Sequence, residues 1–219
     1  MYKTRASQIG SIMTNPKSKT ESLSQTAKDA VLNQWIKDKF NREKEINSLP
    51  IKKGILNEEM GITMLSLHLN DMLLKNQEKK ENDFITGTCD IIHDDIVYDI
   101  KCSYDLWTFA KANISKDYYW QLQGYMWLWN LKKARLVYVL TDAPDSVLDA
   151  EVRSAVWRLD GNDVDIIEVQ KQISNQLTYQ DIPNEIKIKF FDVDYNESDI
   201  DEIKNRIQLC REYYDSLKL

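Results

Sequence analysis

One stretch of the chain sets acidic and basic residues at a spacing that suits hydrolysis of a phosphate ester. It runs Gly87-Thr88-Cys89-Asp90, then eight residues, then Asp99-Ile100-Lys101. Side chains alternate along a strand, so Asp99 and Lys101 emerge on one face while Ile100 turns into the packing behind them. A turn near Asp94 folds Asp90 back opposite Asp99 and brings two carboxylates together. Two such anions repel, and one pKa rises, unless a divalent cation lies between them. Carboxylate oxygens suit magnesium, with manganese as a substitute, and either ion shares its remaining positions with water and phosphate oxygens. Lys101 beside that pair is placed to orient or deprotonate an attacking water. An Asp-x-Lys triplet alone equally describes a solvated surface hairpin, so its company decides.

Glu58 and Glu59 sit in the first turns of an apolar-rich helix expected over residues 54–75, which reads as largely buried. A carboxylate there needs a partner or a metal, or is simply favoured by the helix dipole. On a strongly aromatic helix over 117–131, Gln121 and Tyr125 are four apart and share a face, with Gly124 allowing close approach. The remaining elements are a short helix over 4–14, a polar loop around Pro16, an amphipathic helix over 25–47 stopped by Leu49-Pro50, and an antiparallel hairpin from FITGTCDII and IVYDIKCS. A buried strand follows at 134–140, then helices over 147–158 and 166–177, a strand over 185–193 and a closing helix over 197–217. This order describes an α/β (α+β) domain whose central mixed sheet is flanked by helices. Trp120, Trp127 and Trp129, at helical spacing beside a buried strand, read as core rather than base-stacking groups, and His93 as a turn residue rather than a ligand.

A length of 219 residues accommodates one domain. Three cysteines without a Cys-x-x-Cys pair make neither a disulfide framework nor an iron–sulfur or zinc ligand set. No apolar leader or membrane-length run appears, so a cytoplasmic location with no membrane partner is expected. The net charge of −6 hides a gradient. Residues 1–53 carry 11 Lys/Arg against 5 Asp/Glu, whereas residues 141–219 carry 9 against 18. A basic N-terminal arm can therefore bind a polyanion locally although the whole chain is acidic.

The ordered set of Gly54-x-x-x-Glu58, Gly87-x-x-Asp90, Asp99-Ile100-Lys101-Cys102 and Gln121-x-x-x-Tyr125 resembles the PD-(D/E)xK nuclease superfamily. Within it the likeness is to the phage lambda exonuclease and viral recombinase branch, from about Ala6 to Asp142. The resemblance implies that Asp90, Asp99, Glu58 and the Ile100 carbonyl bind Mg2+, that Lys101 activates or positions water, that Gln121 holds Lys101 or the nucleophile, and that Tyr125 completes a glutamine-tyrosine motif. Ser7 falls where the family's N-terminal helix approaches the DNA end. Here Asp99 replaces the more usual Glu, and GTCD the usual Pro before the first Asp. No upstream equivalent of the family's 5′-phosphate-binding basic residue is seen, which leaves Arg5 as the candidate substitute.

The function so implied is an Mg-dependent 5′→3′ exonuclease on double-stranded DNA ends, working in phage-type recombination or DNA processing with a single-strand annealing protein, as a homotrimeric ring. Two alternatives keep the fold: an endonuclease of restriction or repair type, and a non-catalytic DNA- or protein-binding module. The division expected along the chain is a basic helical arm (1–53), a catalytic core (54–140), a helical insertion (141–182) and a closing strand and helix (183–219), all within a single nuclease domain.

Overall fold

A computed structural model describes residues 1–44, 48–159 and 165–218. At its centre is a four-stranded mixed sheet of β4 (Ile91–His93), β5 (Ile96–Cys102), β6 (Lys133–Val139) and β7 (Ile188–Asp194), in that spatial order. β5 and β6 are parallel and the outer pairs antiparallel. A smaller sheet joins β1 (Thr4–Arg5), β2 (Lys80–Glu81) and β3 (Ile85–Gly87), with β3 in the middle.

Alternation along the strands divides the core in two. Val97, Leu136 and Val193 face one side, where they pack with α1 (Ile9–Ile12), α2 (Gln25–Phe40), α6 (Lys116–Trp129) and α9 (Glu197–Ser216). Tyr98, Ile100, Val137 and Val139 face the other, against Ile62 and Leu65 of α4 (Glu58–Leu69). Close approach on that second face needs Gly61, because a Cβ there would lie 3.0 Å from Ile100 Cγ2 and 3.1 Å from Cys102 Sγ. α3 (Leu49–Leu56), the short α5 (Leu106–Ala110), and α7 (Asp145–Arg158) packed on α8 (Ile166–Leu177) complete the fold.

The mixed sheet flanked by helices, the 134–140 strand and the closing strand and helix match the sequence reading, and several boundaries do not. Residues 84–92 are not one strand. They are β3 and β4, in different sheets, with a break at Thr88–Asp90. Residues 4–14 open as β1, paired in parallel with β3, before a 3-10 turn at Ala6–Gln8 and the single turn of α1. α2 ends at Phe40, where Asn41 adopts a left-handed φ of 49°, and the expected continuation through residues 45–47 lies outside the described residues. Pro50 stands in the first turn of α3 instead of stopping a helix, a position its missing N–H tolerates.

The single buried helix expected over 54–75 is instead α3 and α4, divided at buried Asn57, whose amide donates to Thr141 Oγ1 and the Asp142 carbonyl at 2.8 and 2.7 Å. Much of its apolar surface, including Ile55, Met60, Leu67, Met72 and Leu74, is exposed. The buried side chain at the other end is a surprise. Lys53 Nζ donates to the Tyr104 carbonyl at 2.8 Å and lies over the Tyr179 ring, and burial pushes its pKa down to about 8. It ties α3 to the chain leaving β5.

Fully buried Gln123 fastens α6 to the far edge of the sheet. Its Nε2 donates to the Asp194 carbonyl at 2.8 Å and its Oε1 accepts from Asn196 N at 3.0 Å. Gln123→Ala strands both backbone groups and is expected to cost about 2–4 kcal/mol, read as a lower urea midpoint at unchanged m-value.

Candidate active site

The break between β3 and β4 is what presents Asp90. Asn76, on the chain joining α4 to β2, pins this segment: its N–H donates to the Asp90 carbonyl at 2.7 Å and its Nδ2 to the Cys89 carbonyl at 3.1 Å. Past β4, Asp94 and Asp95 take φ of 49° and 59°, the left-handed pair that a two-residue hairpin turn requires. That turn fixes the register Ile91↔Tyr98, and one step further sets Asp90 opposite Asp99 on the α6 face. The Ile100 N–H donates to Asp90 Oδ2 at 2.7 Å. In a strand, a residue's N–H and C=O lie on the same edge, so the Ile100 carbonyl is also directed to the Asp90 side.

Asp99, 1% exposed, is held from two directions. Gln121 Nε2 donates to Oδ1 at 3.0 Å and also to the Tyr125 hydroxyl at 3.0 Å, so the expected Gln-x-x-x-Tyr pair acts as one bracket on the carboxylate. Lys101 Nζ is 2.8 Å from Oδ2, an ion pair without hydrogen-bond alignment, and it sits over the Tyr118 ring at 4.9 Å. Burial, then the charge of Asp99, pushes the Asp90 pKa up to about 7, against the opposing pull of Lys101 and the Ile100 N–H. Burial alone would lower the Lys101 ammonium, but the charges of Asp99 and Asp90 outweigh it and hold its pKa above the ordinary value. The Tyr125 hydroxyl is likewise raised, by burial and then by Asp99.

Glu58 approaches differently. α4 covers the opposite face of the sheet, so Glu58 must reach around the strand ends, and Lys75 Nζ holds its Oε1 at 2.9 Å. Its charge still acts on Asp90. Among the described residues no three His, Cys, Asp or Glu side chains are gathered into a ready-made metal cluster. Asp90 and Asp99 alone are brought together, with Glu58 held at their margin.

That donor set is suited to a hard divalent cation. Two carboxylates share one face, Asp90 ionises reluctantly because it is buried beside the charge of Asp99, and Asp99 Oδ2 is buried with no hydrogen-bond donor aligned on it. A cation supplies what each lacks.

Arg5 and Ser7 line a cavity of about 350 Å³ whose wall includes Gly87, Thr88 and Tyr125, two residues from Asp90 and within the glutamine-tyrosine bracket. Lys3, Lys37 and Lys79 make it strongly basic, and Thr86 Oγ1 on its border has no partner. The sequence reading missed Lys37, Lys79, Asn76 and Lys75. The Lys75-Asn76-x-x-Lys79-Lys80 run was the available signal for three of them. Trp129 is buried and Trp120 and Trp127 pack against the core, as expected, while His93 closes β4 with its ring against Asp71 and Asp94.

This sheet, with an Asp–Asp–Lys constellation at a strand break and a Gln–Tyr bracket over it, defines a PD-(D/E)xK nuclease. No protein-family model matches the sequence, and no curated protein does. Among solved structures, a phage-related exonuclease from Haemophilus somnus 129PT is 30% identical, with 98% of this chain and 94% of that one aligned at a TM-score of 0.80. The alkaline exonuclease LHK-Exo from Laribacter hongkongensis shares the fold at 12% identity, with 98% and 88% covered and a TM-score of 0.66. Its complex with dAMP gives 11%, 98%, 88% and 0.65. The chain belongs to the phage-related exonuclease family of PD-(D/E)xK nucleases. No helix among the described residues is long and apolar enough to cross a membrane.

Proposed function

We propose that the protein is a magnesium-dependent 5′→3′ exonuclease that digests one strand from double-stranded DNA ends. The observation that carries this reading is the half-open basic cavity next to the Asp90–Asp99–Lys101 cluster: a terminal phosphate held there would favour ends over internal positions. Arg5, Lys37 and Lys79 hold the terminal phosphate, with the Ser7 hydroxyl as donor.

Asp90, Asp99 and the Ile100 carbonyl would hold the magnesium, with Glu58 joining once released from Lys75. The ion, when bound, neutralises phosphate charge and acidifies a water. Lys101, paired with Asp99 and within the field of Asp90, acts as an ammonium that orients the attacking oxygen and stabilises charge on the phosphoryl oxygens. Gln121 keeps Asp99 oriented, and Tyr125 keeps Gln121 oriented. The resulting 3′-tailed duplex is the substrate of a strand-annealing partner in recombination, and the exposed apolar surface of α3 and α4 supports assembly into a homotrimeric ring.

With magnesium, the expected result is nucleotide release from the 5′-labelled terminus of linear duplex, with closed circles spared and 5′-hydroxyl ends cut on the order of tenfold more slowly than 5′-phosphoryl ends. Activity should vanish with EDTA, return with manganese and fall steeply with salt. Digestion of closed circles, or release from 3′ ends alone, would overturn the reading.

A further inference from the structure

The terminal-phosphate cavity does not end at its outer rim. A second cavity of about 310 Å³ adjoins it along α2, and Arg5, Gln34 and Lys37 line both. The outer one adds Gln8, Asn33, Lys44 and Glu43. Three cations face a single carboxylate there, and three amides offer donors and acceptors suited to sugar and phosphate oxygens.

An anion already lies in this outer cavity, and it is the chain's own. After the left-handed turn at Asn41, Glu43 folds back onto Lys37, an ion pair with both side chains largely in solvent. Lys37, and secondarily Arg5, hold its carboxyl below the usual carboxylate range. The site attracts an oxyanion, and a pair this exposed to solvent is weak, so a phosphodiester displaces it readily.

We infer that the outer cavity is a second phosphate site, lying beyond the terminal one, and that the enzyme engages duplex ends whose 5′ strand extends past the junction as a single-stranded tail. This rests on reading the inner cavity as the site of the 5′ phosphate. Glu43 stands in for the missing phosphate when the end is blunt, and the amides of Gln8 and Asn33 meet the sugar-phosphate of the tail. A 5′ polyphosphate presents the same second anion without the extra nucleotide.

The test is competitive binding in EDTA of four hairpin duplexes: blunt 5′-hydroxyl, blunt 5′-phosphoryl, two-nucleotide 5′-tailed with a terminal phosphate, and blunt 5′-triphosphate. Lys44→Ala should weaken the tailed hairpin about fivefold and leave the blunt 5′-phosphoryl hairpin within about twofold, and Glu43→Gln should tighten the tailed hairpin about threefold. Both variants change exposed side chains, so their folding is not at stake. Equal weakening of blunt and tailed hairpins by Lys44→Ala would overturn the proposal by showing only general attraction. A triphosphate that responds while the tail does not would overturn the tail and leave a polyphosphate site. Failure of the parent to prefer 5′-phosphoryl over 5′-hydroxyl blunt ends would instead bring down the reading of the inner cavity.

Discussion

Asp90→Asn is expected to melt roughly 5–10 °C above the parent at pH 8, in the absence of divalent cations, while cleaving DNA at least about 10³-fold more slowly. The folded-state pKa of Asp90 is about 7 against 3.8 for a free carboxyl. Between those values the unfolded chain has released this proton and the folded protein retains it, so stability falls as pH rises from about 4 to about 7 and the full penalty persists above 7. Asparagine carries no such penalty and can still accept from the Ile100 N–H. A displacement of even two pKa units corresponds to roughly 3 kcal/mol, and a protein of this size gains about 2–4 °C per kcal/mol. The two melting curves should therefore converge near pH 4 and separate progressively up to pH 7. Magnesium should raise the parent's melting temperature at pH 8 and leave that of Asp90→Asn nearly unchanged. A variant less stable than the parent at pH 8 would show that Asp90 is not held in a buried, anion-crowded, cation-seeking position.

The same carboxylate illustrates what the sequence makes legible. Alternation in IVYDIKC sets Asp99 and Lys101 on one face, and a short turn sets Asp90 opposite, so this part of the site follows from the period of a strand and the length of a hairpin. The Gln121–Tyr125 bracket follows from helical spacing in the same way. What sequence did not disclose depends on long-range pairing. Thr4–Arg5 become a strand only because β3 lies beside them, and Ile85–Gly87 leave the hairpin because that small sheet claims them. The basic cavity draws Lys3, Lys37, Lys79 and Thr88 from four segments, none of which is unusual by itself. The expectation of one buried helix over 54–75 rests on apolar frequency, which counts apolar residues without saying which are covered. Asn57 breaks it because its side chain is required by Thr141 and Asp142, more than 80 residues away.

Lys101→Met is the variant expected to have the largest effect on catalysis with a structural component that can be separated from it. Losing a group that orients the attacking oxygen costs typically 10²–10⁴ in rate, and about 10³ is expected here. The substitution also leaves Asp99 buried with only Gln121 as donor, and breaking a buried pair from one side costs about 3–5 kcal/mol. Loss of activity in the single variant therefore mixes chemistry with folding. Lys101→Met combined with Asp99→Asn removes both charges, keeps the Gln121 hydrogen bond to the side-chain oxygen, and should recover most of the lost urea midpoint. Activity should not recover with it, because both the carboxylate and the ammonium are gone. Lys101→Arg should retain the pair and the fold but rescue little turnover, since a planar guanidinium cannot place a single compact donor where Nζ stands between Asp99 Oδ2 and the Tyr118 ring. Near-parental cleavage by Lys101→Arg or by the stabilised double variant would reduce Lys101 to a counter-ion and move the chemistry to another cation.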